Sequence, residues 1–278
     1  MFDKNIRQAA VAGSFYPGNE GALSGMVTNF LKSAVNEALP DIIGLVSPHA
    51  GYIYSGQVAA CSYKQVKGKK YESVIIIAPS HSEYFDFNSV FNGRGYRTPL
   101  GIAEVDTERA ERLAGNAAYK NYIKLSDFGH RREHSLEVQL PFLQTVFENL
   151  KIVPVVMGRQ DKKSIESLGS AIGATFKGEK ILVIASTDLS HYHDYNTAAA
   201  LDALVIDYIN SFDPMRFAGA VSSEEVEMCG GGPVAAAMIA SGMLGANSSK
   251  VLCYKNSGDT GGDKSAVVGY LSAAFYKK

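Results

Sequence analysis

Imidazole and carboxylate groups recur at one kind of position in this sequence, just after an apolar run that is typical of a buried β-strand. They belong to His49, His81, Asp188 and His191. Such groups bind transition metals and transfer protons near neutral pH. The loops that follow parallel strands converge over a crevice at the carboxyl edge of the sheet, where open α/β folds bind ligands. We therefore expect these side chains to share one site.

Cys229 adds a thiol to the candidate residues. It precedes the run Gly230–Pro233, and proline is favoured in the first turn of a helix. A thiol at a helix N-terminus lies at the positive end of the helix dipole, which lowers the thiol pKa and favours thiolate. The alternative is a small buried residue at a helix start. Cys61 and Cys253 lie inside apolar elements, where we expect core packing.

His49, His81 and Cys229 together offer two imidazole nitrogens and one sulfur. This donor set suits zinc, copper or iron and suits magnesium or calcium poorly. Three protein ligands leave a position open for water or substrate, as in catalytic metal sites. Asp188 and His191 are candidates for a fourth ligand, an outer hydrogen-bond partner or a general acid/base.

Two further pairs are candidate site residues. His134 and Glu137 either orient the site or cap their own helix, and both interpretations stay open. Tyr52 and Tyr54 follow His49 closely and are candidates to line a groove for a small-molecule or peptide ligand.

Apolar strand-like runs alternate with helical patterns, which predicts an α/β fold. We expect a three-layer sandwich, with a central, largely parallel or mixed β-sheet and helices on both faces. The predicted strands are 42–46, 73–77, 151–156, 180–186, 250–255 and 266–275. The predicted helices are 18–39, 57–66, 107–114, 135–149 (interrupted by Pro141), 162–176, 197–211, 214–220 and 234–243. For residues 89–105 the sequence pattern predicts a hairpin or an irregular excursion. No linker or repeat interrupts this pattern, so we expect one domain over residues 1–278.

Composition excludes several classes of protein. The 27 basic and 28 acidic side chains give a net charge of −1, without the basic excess of a general nucleic-acid binder. No apolar run approaches the roughly 18 residues of a membrane-spanning helix, and the first residues lack the apolar core of a secretory signal. Three widely spaced cysteines argue against a disulfide framework and fit a reducing compartment. We expect a cytoplasmic protein with neither nucleic-acid nor membrane partners.

With these residues in view, the chain resembles the Memo family, also called the AmmeMemoRadiSam system protein B group. Several separate motifs in the right order carry the resemblance through nearly the whole chain. They are RQAAVAGSFYP at 7–17, PHAGYIYSG at 48–56, PSH at 79–81, HSLEVQLP at 134–141, STDLSH at 186–191, CGGGP at 229–233 and GDKSAVVGY at 262–270.

The resemblance implies the fold of the class III extradiol dioxygenases (LigB-like), which hold non-haem iron(II) with two histidines and a glutamate. It implies that His49 and His81 fall at the two histidine positions, and that Cys229 and Asp188 occupy the same pocket. Memo-like proteins lack the dioxygenase glutamate in its usual role, and this departure argues against catechol ring cleavage. Relatives are associated with iron or copper redox chemistry and, in animals, with binding of phosphorylated receptor peptides. Prokaryotic members are often encoded beside a radical-SAM protein, which implies a functional link.

Three hypotheses for the function follow from the residues and the resemblance. The first is a metal-dependent redox enzyme, with iron or copper favoured, that acts on an unknown small molecule. The second keeps the same ligands around zinc and hydrolyses an amide or ester. The third is a non-catalytic module that binds a peptide or another partner in the same pocket.

Overall fold

The computed structural model describes residues 5–278 and has a mixed α/β architecture. The strands are β1 (Ile6–Arg7), β2 (Ile42–Ser47), β3 (Ser73–Pro79), β4 (Asn88–Phe91), β5 (Gly95–Thr98), β6 (Gly101–Val105), β7 (Ile123–Ser126), β8 (Lys151–Met157), β9 (Ile181–Ser186), β10 (His191–His193), β11 (Ser248–Asn256) and β12 (Val267–Tyr276). The α-helices are α1 (Glu20–Ser33), α2 (Tyr52–Val66), α3 (Thr107–Ala114), α4 (His134–Glu137), α5 (Leu140–Val146), α6 (Lys162–Thr175), α7 (Tyr195–Ser211), α8 (Pro214–Ser222), α9 (Gly231–Met243) and α10 (Ser257–Gly261).

Four parallel strands in the order β8-β3-β9-β2 form the centre of the sheet. Their side chains are apolar along most of their length, and residues 73–79 and 181–186 are buried throughout. A strand without a polar face requires cover on both sides of the sheet, so these runs favour the middle of a sandwich. Strands β12, β5 and β4 join by antiparallel pairing, which makes the sheet mixed. The predicted α/β sheet is therefore confirmed.

The helices flank this sheet in two groups. Helices α1, α2 and α5 contact one another, and α2 lies against β2, β11 and β12. Helices α6, α8 and α9 form the second group, and α9 lies against β2, β3 and β9. Gly44 of β2 permits the close approach of α9, because a Cβ at this position would collide with the hydroxyl of Ser241. Within residues 5–278, no helix combines the length and apolarity that a bilayer crossing requires.

The sheet brings the expected site loops to one edge. Strands β2, β3, β8 and β9 are parallel neighbours, so their carboxyl ends meet on the same side. The segments that follow them begin at Pro48, Ser80, Gly158 and Thr187. Three of these segments contain the histidine and aspartate side chains singled out above.

The predicted elements are all present, but several boundaries differ. The predicted helix 135–149 is two helices, α4 and α5, because the chain turns at Val138–Gln139 before Pro141 enters the first turn of α5. Helix α2 begins at Tyr52 rather than at Gln57, and the backbone N–H of Tyr52 donates to the Phe15 carbonyl. The short elements β1, β7, β10 and α10 were not predicted.

Glu137 anchors the N-terminal segment to this frame. Its fully buried carboxylate accepts hydrogen bonds from the Arg7 guanidinium, the Tyr16 hydroxyl and the backbone N–H groups of Ala10 and Val11. The ion pair with Arg7 is likewise buried. All of these partners lie in residues 7–16, so Glu137 holds this segment against α4.

We expect Glu137→Gln to lower the free energy of unfolding by about 3 kcal/mol or more, because it leaves the buried Arg7 cation without its counter-charge. Urea unfolding followed by circular dichroism measures this change. Glu111→Gln is the matched control, since Glu111 is exposed on α3, and it should change the stability by less than about 0.5 kcal/mol. Equal, small effects of the two substitutions would contradict the anchoring role.

Candidate metal centre

Strand ends and one helix start deliver the site residues. His49 lies two residues beyond β2, His81 two residues beyond β3, and Asp188 two residues beyond β9. Cys229 lies two residues before α9, and its backbone N–H donates to the Asp188 carbonyl at 3.2 Å. Residues far apart in the chain therefore meet because parallel strands end at one edge.

The three predicted metal ligands are close together in space. His49 Nε2 lies 3.2 Å from Cys229 Sγ, and the ring centroids of His49 and His81 are 5.1 Å apart. One donor atom from each of the three residues lies within 4.8 Å of the other two. Metal–nitrogen and metal–sulfur bonds of about 2.0–2.3 Å reach a common point among donors at such separations. His49 is buried, whereas His81 is exposed to solvent.

Hydrogen bonds determine which nitrogen of His49 carries the proton. The Ser186 hydroxyl donates its one proton to the Ser135 carbonyl at 2.7 Å, so towards other groups it acts only as an acceptor. Nδ1 of His49 lies 2.9 Å from the Ser186 oxygen, and we therefore assign it as the N–H that donates to this oxygen. The Gln139 amide also donates to Ser186 at 2.8 Å, and its own oxygen accepts from Tyr63. The lone pair of His49 is thus on Nε2, which faces Cys229.

Glu133 determines which nitrogen of His81 carries the proton in the same way. Its carboxylate accepts from His81 Nδ1 at 2.9 Å and from the His81 backbone N–H at 2.6 Å. Burial raises the pKa of Glu133, but the hydrogen bonds from His81 and Ser135 outweigh burial and lower it to about 2. The carboxylate is therefore ionised, His81 Nδ1 carries a proton, and the free lone pair of His81 is on Nε2.

A second group of donors, His81, Glu133 and His134, also lies within binding distance of a metal ion. However, the oxygens of Glu133 already accept from two groups of His81 and from the backbone N–H and hydroxyl of Ser135. These bonds use the lone pairs that a metal would need. We therefore assign Glu133 to the orientation of His81 and not to metal binding.

Asp188 directs one carboxylate oxygen at the donor cluster. Its Oδ1 accepts the His49 backbone N–H at 2.8 Å, and the Ala50 backbone also bonds this carboxylate. Its Oδ2 lies 3.9 Å from His49 Nε2. Burial raises the pKa of Asp188 to about 7 despite these bonds, so the group exchanges a proton near neutral pH. The predicted roles as a fourth ligand or a proton carrier both remain predictions.

The expected low pKa of Cys229 is not what the structure gives. Burial, followed by the nearby charge of Asp188, raises the pKa of the Cys229 thiol to about 12. The N–H of Asp188 points at Sγ from 3.2 Å, but its effect is smaller. The predicted low pKa of Cys229 is wrong in direction, because desolvation and a neighbouring carboxylate act more strongly than the helix end.

Gln160 holds the loop that contains Cys229. Its amide N–H donates to the Cys229 carbonyl at 2.8 Å, and its oxygen accepts the Gly232 N–H at 2.7 Å. Gly230 has to be glycine here, because a Cβ would collide with the Ser186 carbonyl. The loop is therefore clamped between the segment after β8 and the end of β9.

His134 borders the cluster, and His191 lies close enough to influence the pKa of His49. The ring of His134 lies 4.8 Å from that of His81 and 5.5 Å from that of His49, and Phe15 contacts its other side at 4.9 Å. His191 is partly buried. Burial lowers the pKa of His49, His134 and His191, so these rings are neutral at pH 7. Neutral imidazole is the form that binds a metal.

Two of the other predicted site residues have different surroundings from those expected. Tyr52 is 3% exposed and its hydroxyl donates to the Val138 carbonyl at 2.6 Å, so it packs in the core and does not line an open groove. Glu137 makes its hydrogen bonds to the N-terminal segment, as described above. Tyr54 is 42% exposed and remains a candidate for ligand contact.

The sequence patterns did not indicate the residues that orient the ligands, namely Glu133, Ser186, Gln139 and Gln160. Three of them lie inside or beside the motifs quoted above, so a search for acceptors next to each candidate ligand would have drawn attention to them. Gln160 lies in a segment without any such motif.

We expect both His49 and His81 to be Nδ1–H tautomers in the metal-free protein at mildly alkaline pH, because Ser186 and Glu133 accept from Nδ1. Long-range ¹H–¹⁵N correlation spectra of the imidazole rings measure the tautomer. Ser186→Ala should change the His49 signals and leave those of His81, and Glu133→Gln should do the reverse. Nε2–H tautomers in the wild type would contradict the assignment.

Comparison with known proteins agrees with this architecture. A family model described as Memo-like protein matches residues 7–274. A MEMO1 family protein of Nitrosopumilus maritimus is 37% identical over 97% of this chain and 99% of its own length. Another, of Methanobrevibacter smithii, is 40% identical over 97% and 99% of the two chains. The crystal structure of an uncharacterized Escherichia coli K12 protein shares the fold, with a TM-score of 0.59 and 14% identity over 84% of this chain and 99% of that one. The chain belongs to the Memo family.

Proposed function

We propose that this protein is a metal-dependent redox enzyme that binds iron or copper through His49, His81 and Cys229 and acts on a small molecule. The observation that carries the proposal is that one donor atom from each of His49, His81 and Cys229 lies within 4.8 Å of the other two, with both Nδ1 atoms held by acceptors. This arrangement leaves the Nε2 lone pairs of the two histidines for a metal. Histidine ligands of metals characteristically donate their second N–H to a carboxylate or another oxygen acceptor. A chance cluster of histidines has no reason to orient both rings in this way.

The chemistry of the donor set supports a transition metal. Imidazole and thiolate favour zinc, copper and iron over magnesium and calcium. Burial and the nearby Asp188 disfavour the thiolate form of Cys229. A metal ion is the counter-charge that would convert the thiol to thiolate. These donors are therefore more stable with a bound metal ion than without one.

Bound iron or copper would supply one-electron redox chemistry and polarise a ligand at the open coordination position. The residues of the chain would provide access, orientation and proton transfer. His81 lies on the solvent side, so we expect a substrate to enter past His81 and His134. Asp188, with its pKa near 7, is the group that would hold or release a proton beside the buried His49.

We expect the metal-free protein to take up one equivalent of iron(II) or copper under anaerobic conditions. The copper(II) form should show a sulfur-to-metal charge-transfer band that Cys229→Ser abolishes. Cys61→Ser is the matched control and should keep the band, because Cys61 lies in α2 outside the donor cluster. Glu133→Gln should weaken metal binding by about 10- to 100-fold, as loss of an outer-shell partner does. Wild-type protein that binds no stoichiometric metal would refute the proposal.

A catalytic role of Asp188 predicts a separate effect. We expect Asp188→Asn to lower the turnover of the metal-loaded protein by about 10²- to 10⁴-fold, the usual contribution of a positioned proton carrier. Dioxygen uptake with a panel of reduced small molecules, among them ascorbate and catechols, measures turnover, and metal content is determined in parallel. Full turnover in the variant would contradict the proton-carrying role, and loss of metal would identify Asp188 as a ligand.

Exposed aromatic rings favour a binding module as the second candidate function. Tyr54 and Tyr192 are 42% and 77% exposed, and Tyr192 has a strained positive φ of 64°. Asp188, Tyr54 and Tyr192 all lie close enough to Tyr270 to influence its pKa, so these groups surround one region. Ligand binding that persists in a His49→Ala, His81→Ala double variant would support this alternative. Zinc binding with hydrolysis and no electron transfer would instead support a hydrolase.

A further inference from the structure

The amino edge of the sheet, opposite the metal centre, contains a cleft of about 680 Å³. It lies between the start of β2, the turn that enters β3 and the turn that enters β9, and Leu244 at the end of α9 also lines it. Strands β2, β3 and β9 run from this cleft to the loops of the metal centre, so the two sites lie at opposite ends of the same strands. A cleft of this size accommodates a small organic ligand.

Two turns of similar build form the walls of the cleft. One contains Gly68 and leads into β3, and the other contains Gly178 and leads into β9, with φ angles of 82° and 87° that favour glycine. The turns bond each other directly. The Glu72 backbone N–H donates to the Lys180 carbonyl at 2.9 Å, and the Lys180 backbone N–H donates to the Glu72 carboxylate at 2.9 Å. The two walls are therefore fixed relative to each other.

Lysine side chains give this edge a positive charge, although the whole chain has a net charge of −1. The two turns contain five lysines, at positions 67, 69, 70, 177 and 180. The Lys69 ammonium donates to the Leu39 carbonyl at 3.0 Å. Lys70 is exposed and has no partner among residues 5–278, and Lys180 contacts only the Tyr71 ring, at 5.9 Å from its centroid. Two ammonium groups that line the cleft thus lack a counter-charge.

The acidic residues at the cleft do not cancel this charge. Both oxygens of Glu179 are occupied, since one accepts from Arg109 at 2.8 Å and the other from Arg112 at 2.6 Å. Glu72 likewise accepts from Arg109 at 2.7 Å. Asp41 is the lining carboxylate that forms no ion pair with any other described residue. Unpaired ammonium groups therefore outnumber unpaired carboxylates, which favours an anionic ligand.

An aromatic ring and two aliphatic side chains form an apolar wall. The Tyr71 hydroxyl donates to the Ile42 carbonyl at 2.9 Å, and the Phe147 ring lies 5.9 Å from the Tyr71 ring in an edge-to-face arrangement. These contacts hold the Tyr71 ring in place. Ile43 and Leu244 also line the cleft and are only partly buried. The cleft thus combines unpaired cations with apolar surface.

We propose that this cleft binds a nucleoside phosphate. The phosphate lies between Lys70 and Lys180 and accepts charge-assisted hydrogen bonds from both ammonium groups. The base contacts Tyr71 and Leu244, and Asp41 accepts a hydrogen bond from a ribose hydroxyl or from an amino group of the base. A phosphate without an apolar part would leave the apolar wall exposed, and an uncharged nucleoside would leave the two cations unpaired.

Isothermal titration calorimetry of the full-length, metal-free protein with ADP tests this proposal. We expect one ADP per chain, with a Kd below about 1 mM. Adenosine offers only the apolar part and inorganic diphosphate only the charge, so each should bind at least about 10-fold more weakly than ADP. None of the three proposed metal ligands lines the cleft. The result is therefore independent of whether the protein is a metal-dependent enzyme.

Substitutions of single lysines locate the binding site. Lys70→Gln and Lys180→Gln should each weaken ADP binding by about 10-fold, the usual contribution of a hydrogen bond to a charged group. Lys177→Gln is the matched control, because it removes the same charge from the same turn outside the cleft. It should change the Kd by less than about 2-fold, since solvent and salt screen an exposed charge. Circular dichroism verifies that each variant is folded.

Three results would overturn the proposal. The first is the absence of saturable ADP binding to the folded wild-type protein. The second is binding of adenosine or inorganic diphosphate as tight as that of ADP, which would show that the cleft does not recognise both parts of the ligand. The third is an equal effect of the three lysine substitutions, which would show a response to net charge alone.

Discussion

The single hydroxyl proton of Ser186 constrains the chemistry of the whole site. Ser186 donates it to the Ser135 carbonyl and can only accept from His49, so the Nε2 lone pair of His49 faces Cys229. Gln139 strengthens this constraint, since its amide donates to Ser186 while its oxygen accepts from Tyr63. Every atom of the chain of hydrogen bonds is buried, where an unmatched donor would be costly. The orientation of His49 is therefore built into the core.

The sheet explains why such a network can exist at this place. The central strands are sealed on both faces, and only their carboxyl ends leave the apolar layer. Polar backbone and side-chain groups of several loops are thus concentrated at one edge, where they must satisfy one another. Asp188 and His49 are buried there and Cys229 is partly buried, and burial shifts the pKa of each group towards its neutral form. A metal ion at this edge would bind these donors and so replace unfavourable contacts among neutral groups with ligand bonds.

Much of the fold and the main site residues could be predicted from the sequence, because hydrophobic periodicity is a local property of the chain. Continuous apolar runs indicated the buried strands, and the histidines that follow them indicated the site. The residues that orient the ligands could not be predicted in this way, because Glu133 and Gln139 bond side chains that are distant in the chain. These contacts depend on how α4 packs against β3. The pKa of Cys229 depended on burial that the helix-start pattern does not report. Tyr52, Ile53 and Tyr54 follow one another at the start of α2. Tyr52 points inward because it packs against Tyr16 and Phe142, and the local sequence does not reveal these contacts.

The central claim is that two imidazole Nε2 atoms and one sulfur surround a common metal position. Anomalous diffraction from a crystal loaded anaerobically with iron or copper, collected on both sides of the absorption edge of the metal, tests it most directly. The account predicts one strong peak between His49 Nε2, His81 Nε2 and Cys229 Sγ, at bonding distance of about 2.0–2.3 Å from each. A peak bound instead by Glu133 and His134, or the absence of a peak at the three donors in a crystal known to contain the metal, would contradict it.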